Sequence, residues 1–222
     1  MPVARSRLPA IGPDPTFQLP EIVRHTLSNG LPLRTVEHRG VPIVTFIVQI
    51  DGGSGADPTG SEGLAAMTAD MVDEGTGELD ALEVSDALAR IGAEYGADVG
   101  PDATVFSLTT LSRFAKRGAS LLARLLISPS LRETDFNRVR QLRLDRLQQL
   151  KDVAQSVAER AFLRLLYGAH AYGHLSIGDE RSLESMTLER VKTCHASTFA
   201  PGRAVMIAVG AFGHAELAQI AE

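Results

Sequence analysis

The ten residues from Val41 to Ile50 are nearly continuously apolar and rich in β-branched side chains. Such a run is a central strand that must be covered on at least one face. It breaks at once on Asp51-Gly-Gly-Ser-Gly, a tight strand-to-helix turn. The chain therefore has to build a sheet around this strand and leave it through a sharp loop. The glycines at 52, 53 and 55 are not a phosphate-binding loop, because no lysine follows at the required spacing.

The flanking text supplies the rest of the sheet. Val23 to Leu27, an Asn29-Gly30 turn and Leu31 to Glu37 give a first hairpin, and Ala93 to Val99 with Ala103 to Leu111, joined by Gly100-Pro101-Asp102, give a second. Arg203 to Gly210 is one more apolar strand. Helical periodicity predicts Ser61 to Asp73, with Leu64, Met67, Met71 and Val72 inward and Gly75 as the stop. It also predicts Ala81 to Ile91, with Leu82, Leu88 and Ile91 inward, then Arg113 to Ile127, Glu133 to Lys151, Val153 to Tyr167, Thr187 to Phe199 and a helix from Glu216 that the chain end cuts off. The strands are grouped and not strictly alternated with helices, so the expected class is α+β, a largely antiparallel mixed sheet with helices packed on it.

Residues 1–21 read as an extended leader, since Pro2, Pro9, Pro13, Pro15 and Pro20 fall within it; residues 22–222 form one domain. With 222 residues, 44% of them hydrophobic and 22% charged, the chain has what an ordinary globular core needs. A net charge of -5 with interspersed signs leaves no cationic face for nucleic acid, and the absence of Trp removes the strongest stacking platform. No apolar stretch of membrane-spanning length occurs. Arg5 and Arg7 have no apolar run behind them, so Met1 to Pro20 is not a signal peptide as it stands; the protein is either cytoplasmic or follows a removed signal.

The specific text lies after the central strand. Gly53-Ser54, Asp57, Gly60, Gly63-Leu64-Ala65 opening a helix, and Gly75-Thr76 beyond it resemble the segment that carries the inverted zinc motif in the pitrilysin/insulinase family. Leu165-Leu-Tyr-Gly-Ala-His-Ala-Tyr-Gly173 with Gly178 is similar to that family's Tyr-Gly-x-His-Pro-Tyr-Gly stretch, with Ala171 in place of proline, and Arg203 to Gly210 resembles the strand that closes its first domain. The resemblance runs from about residue 22 to the end and implies the amino-terminal, processing-peptidase-like domain of a subunit roughly twice as long, with the carboxyl-terminal domain absent.

A zinc peptidase needs three protein ligands, an open position for water and a carboxylate beside that water. The inverted motif H-x-x-E-H puts two imidazoles at i and i+4 on one helical face with the glutamate between them, and a later helix supplies the third ligand. Laid over this sequence, the first histidine falls on Ala66, the glutamate on Ala69, the second histidine on Asp70 and the third ligand near Arg146. Asp145 beside it would need a register shift to substitute. No catalytic group and no zinc, the family's cofactor, are expected. The resemblance then implies a non-catalytic subunit that pairs with a catalytic homologue and binds an extended peptide along an edge strand, here Glu94, Tyr95, Gly96, Ala97, Asp98 and Val99. An active zinc-dependent endopeptidase and a structural core subunit of a larger assembly are the alternative readings.

Other constellations carry less. Cys194 and His195 are adjacent, and adjacent helical residues point about 100° apart, so they make no nucleophile pair. His170 and His174 fall in a Gly-bounded loop, and Asp70, Asp73 and Glu74 read as a solvated acidic turn. His25, His38, His195 and His214 have no partner that the sequence identifies.

Overall fold

The computed structural model describes Gly12, Thr16 and residues 18–222. The predicted leader lies mostly outside those described residues. The strands are β1 (Ile22–Thr26), β2 (Pro32–Glu37), β3 (Ile43–Asp51), β4 (Gly75–Thr76), β5 (Leu79–Asp80), β6 (Glu94–Val99), β7 (Ala103–Leu111) and β8 (Ala204–Gly210). The helices are α1 (Leu64–Asp70), α2 (Ala81–Arg90), α3 (Ala115–Ile127), α4 (Glu133–Leu150), α5 (Ala154–Tyr167), α6 (Glu180–Ser185), α7 (Leu188–Thr198) and α8 (His214–Ala221).

Six strands form one sheet in the order β1-β2-β8-β3-β7-β6, and β4 pairs only with β5. Every pairing in the large sheet is antiparallel except β2 with β8. The β-branched run is indeed an inner strand, flanked by β7 and β8. Its side chains alternate, with Val44, Phe46, Val48 and Ile50 buried on one face against Phe106 and Leu108 of β7 and Leu121, Leu122 and Leu125 of α3. Gly118 lets α3 settle that low, since a Cβ there would lie 2.9 Å from Leu108 Cδ2 and Thr110 Cγ2. A second core forms where Leu64, Met67 and Met71 meet Phe136, Val139 and Leu147 of α4 and Leu183, Leu188 and Val191.

Three expectations need correction. The helix predicted over Ser61 to Asp73 is only Leu64–Asp70, because the Asp57 carboxylate takes the amides of Gly63 (2.7 Å) and Ala65 (2.8 Å) and fixes a late start. Beyond Asp70 the chain turns, and Gly75 begins strand β4 instead of capping the helix. Leu82 is 78% exposed and Val84 takes the inward place, since the capping box between Asp80 and Glu83 sets the phase of α2. Helix α6 was not foreseen; at six residues it is too short to show a period.

No helix among the described residues is long and apolar enough to cross a membrane. Thr35, fully buried on β2, joins two of the histidines whose partners could not be read from the sequence, with its hydroxyl 3.1 Å from His25 Nε2 and 2.8 Å from His214 Nδ1.

The exit from β3 depends on close backbone contact. A Cβ on Gly53 would lie 2.1 Å from the Gly100 carbonyl oxygen and 2.8 Å from the Ala103 nitrogen, both backbone atoms that cannot swing away. Gly53→Ala is expected to lower unfolding stability by about 2–3 kcal/mol in denaturant titration, as for other overpacked sites; a loss below about 0.5 kcal/mol, the range of inert surface changes, would contradict this packing.

Candidate functional site

Helix α1 lies against α7, β6 and α4. Strand β6 ends the sheet and pairs with β7 alone, so its outer edge has no strand partner among the described residues. The three motif positions of the helix therefore sit next to an open sheet edge. Ala66 and Ala69 are 5% and 1% exposed, so methyl groups pack into the core where imidazole and carboxylate would stand.

Asp70 is the single polar group of the three, and its carboxylate is occupied. Arg143 Nε donates to Asp70 Oδ2 at 2.8 Å, and Nη1 of the same guanidinium donates to the Ile177 carbonyl at 3.4 Å. Arg146, marked by the sequence as the third-ligand position, has its guanidinium on Gln149 (3.4 Å). The arginine that meets Asp70 is the one a helical turn earlier, on the α4 face that packs on α1. Asp145 accepts from Gln141 at 2.9 Å. Arg138, one further turn back, is paired with Glu74. The sequence offered no way to choose among the four arginines of α4 at 138, 140, 143 and 146, because the choice depends on how α1 and α4 cross.

These residues do not fit a zinc ion. Of the three expected ligand positions one is alkyl, one is an aspartate paired with a guanidinium and one is an arginine, the general-base position is alkyl too, and among the described residues no group of three His, Cys, Asp or Glu side chains converges as metal ligands would.

What the site does hold is acid in a poorly hydrated place. Burial pushes the Asp73 carboxyl up to about 6; its own backbone amide opposes the rise, and the Glu74 and Asp70 charges add to it. Tyr95, on β6, has a buried hydroxyl with no hydrogen-bond partner among the described residues. Burial, with Asp73 and Asp70 adding to it, pushes its ionisation far above the phenolic range, so it is a neutral donor at any working pH. Glu94, Ala97 and Asp98 of the same strand are exposed, whereas Tyr95, Gly96 and Val99 are half-buried.

The remaining constellations separate in space. His195 Nε2 lies 2.8 Å from the Leu126 carbonyl and its ring stacks near Phe199, while Cys194 Sγ turns toward Thr198. Burial lowers the His195 pKa. His170 and His174 occupy a loop, the first packed on Tyr167 and Tyr172, the second against the Leu175 carbonyl. Tyr172 reaches back to Asp102 in the β6–β7 turn.

Comparison with known proteins gives the family and the fold. Residues 35–179 match the family described as Insulinase (Peptidase family M16). A probable mitochondrial-processing peptidase subunit beta of Schizosaccharomyces pombe is 24% identical over 93% of this chain and 45% of its own length. An uncharacterized zinc protease of Bacillus subtilis is 21% identical over 85% of this chain and 46% of its own. The chain thus spans less than half the length of these relatives. Among solved structures, a peptidase M16 inactive domain from Pseudomonas fluorescens superposes with a TM-score of 0.86 at 27% identity, covering 90% of this chain and 49% of that one. A protease from Helicobacter pylori gives the same TM-score at 24% identity, covering 91% and 49%.

Asp73 gives a test of this electrostatic picture. Its folded pKa of about 6 exceeds the unfolded value, so the folded state gains protons, and stability, as pH falls through 6 toward 4; at pH 7 the ionised form costs stability. Asp73→Asn is expected to raise stability at pH 7 by roughly 1–2 kcal/mol, and the gain is expected to vanish near pH 4. A gain independent of pH in denaturant titrations would contradict the assignment.

Proposed function

The chain belongs to the insulinase family, peptidase family M16, and from that premise we propose that it is a non-catalytic member that binds extended peptide beside a catalytic homologue. The observation that carries the reading is the donor set at the motif: buried methyl groups at positions 66 and 69, and an aspartate at 70 tied to an arginine. Zinc hydrolysis needs a cation with a free coordination position and a base beside its water; neither can be assembled from these side chains. The alternative reading as an active zinc endopeptidase finds no cluster of ligands among the described residues to support it.

Peptide binding does not need the metal. An extended segment adds to a sheet edge through main-chain hydrogen bonds, and side-chain pockets at alternate residues set its preference. Strand β6, Glu94 to Val99, supports this reading because it is the terminal strand of the sheet and lies against α1. The partner role is supported by the relative named as a beta subunit and by the neighbour described as an inactive domain.

The test uses the purified chain. Alone, it is expected to bind an unstructured peptide without cleaving it, and N-methylation of alternate peptide amides is expected to weaken binding at least ~10-fold through lost strand hydrogen bonds. Peptide cleavage by the chain alone that is abolished by a chelator would sink the non-catalytic reading. Binding that tolerates N-methylation at every position would sink the strand assignment.

A further inference from the structure

We propose that the Asp70–Arg143 ion pair is a clamp that positions α1 beside the open edge of β6, bridging two helices with side chains where the inverted motif bridges them with a metal ion. In that motif one helix gives two ligands and a later helix the third, so the ion does mechanical work as well as chemistry. Here α1 and α4 are joined at the same motif helix by a guanidinium. Arg143 is 12% exposed, Asp70 46%.

The arrangement goes beyond a surface ion pair. Arg143 spends its Nε on Asp70 and its Nη1 on the Ile177 carbonyl, so one planar group ties together α1, α4 and the segment before α6. Only arginine offers donors fixed at the fork angle that this requires; a lysine is a point charge on a flexible stem. Arg138 and Glu74 repeat the tie just past the end of α1. Beside the two pairs, Leu64 and Met67 of α1 and Met71 just after it pack with Phe136, Val139 and Leu147 of α4.

Helix α1 needs such a clamp. It has seven residues, well under the roughly 12–15 at which an isolated helix becomes even marginally stable. Asp57 fixes its first turn; its last turn is packed through Met67 on side chains of α4, α6 and α7 and carries one side-chain tie across to α4, from Asp70 to Arg143. Helix α1 lies against β6 as well as against α4. A loosened Asp70 end would let α1 drift against the strand edge and change the width of the groove there.

The clamp is read without any peptide, by hydrogen exchange at the amides of residues 64–70 in a double-mutant cycle. Arg143→Met and Asp70→Asn are each expected to speed that exchange ~10-fold, the double variant also ~10-fold instead of ~100-fold, and the charge swap Asp70→Arg with Arg143→Asp to return within ~3-fold of the parent. Singles that leave exchange within ~2-fold, or effects that multiply, overturn the clamp and leave the apolar seam as what holds α1. If Arg143→Met does not fold, Arg143→Lys reads the same quantity, with exchange expected ~3-fold faster because the fork is lost; no change there counts against the proposal. The positioning role rests on the peptide reading above and has its own readout: both singles are expected to weaken peptide binding ~10-fold and the swap to restore it. Unchanged affinity with faster exchange removes the positioning role, whereas a parent chain that binds no peptide removes the proposed function and leaves the clamp to be judged by exchange alone.

Discussion

The Asp57 carboxylate, seated on the Gly63 and Ala65 amides, is the contact from which the rest of the site follows. It stops the loop after β3, starts α1 at a fixed place and thereby decides which residues of the helix face α4 and which face β6. Burial pushes this carboxyl up, while the two amides and His174 pull it back, so the contact is made in a place where an unpaired acid would be costly. Around it the backbones are crowded at Gly53 and at Gly178, whose Cβ would lie 2.2 Å from the Glu62 carbonyl oxygen. The glycines and the aspartate that flank the motif are therefore structural parts of the helix socket, and they serve that purpose whatever side chains the helix carries.

With the socket kept, the residues inside it are free to change in kind. A divalent ion bound by two imidazoles and a carboxylate would leave net positive charge at the end of α1; here that end carries Asp70, Asp73 and Glu74, and the positive charge comes from Arg143 and Arg138 on α4. The sign of the helix end is inverted and the cation has moved onto the neighbouring helix. An ion pair of this kind can hold two helices together, but it cannot acidify a water molecule, because a guanidinium has no vacant coordination position. On the proposed reading, retention of the fold and loss of the reaction are two results of one exchange of groups.

Much of the fold was legible in the sequence because its strands are bounded by strong local signals: Asn29-Gly30, Gly100-Pro101-Asp102 and the β-branched run of β3. Helix ends were legible only where local capping decides them. The phase of α2 was misjudged at Leu82 because Asp80 and Glu83 lock its first turn, and the length of α1 was overstated because its start is set by Asp57, six residues ahead of Gly63. The family could be read from three motifs in order, the text around Gly63, the stretch from Leu165 to Gly173 and the strand from Arg203 to Gly210. Arg143 could not, since its importance comes from the crossing of two helices seventy residues apart in the chain, and the register of that crossing is fixed by Met67, Met71, Phe136 and Val139 packing together. The same holds for the Tyr95 hydroxyl, whose lack of a partner is a property of the assembled sheet edge.

On the proposed reading, the helix socket of an M16 domain is kept while an ion pair stands where its metal chemistry would be. Titration of the purified chain with zinc against a chromophoric chelator of micromolar affinity tests it most directly. The account predicts that the chelator keeps the metal, with no competing site on the protein. One equivalent of zinc drawn from the chelator, and lost again on Asp70→Asn, would contradict it.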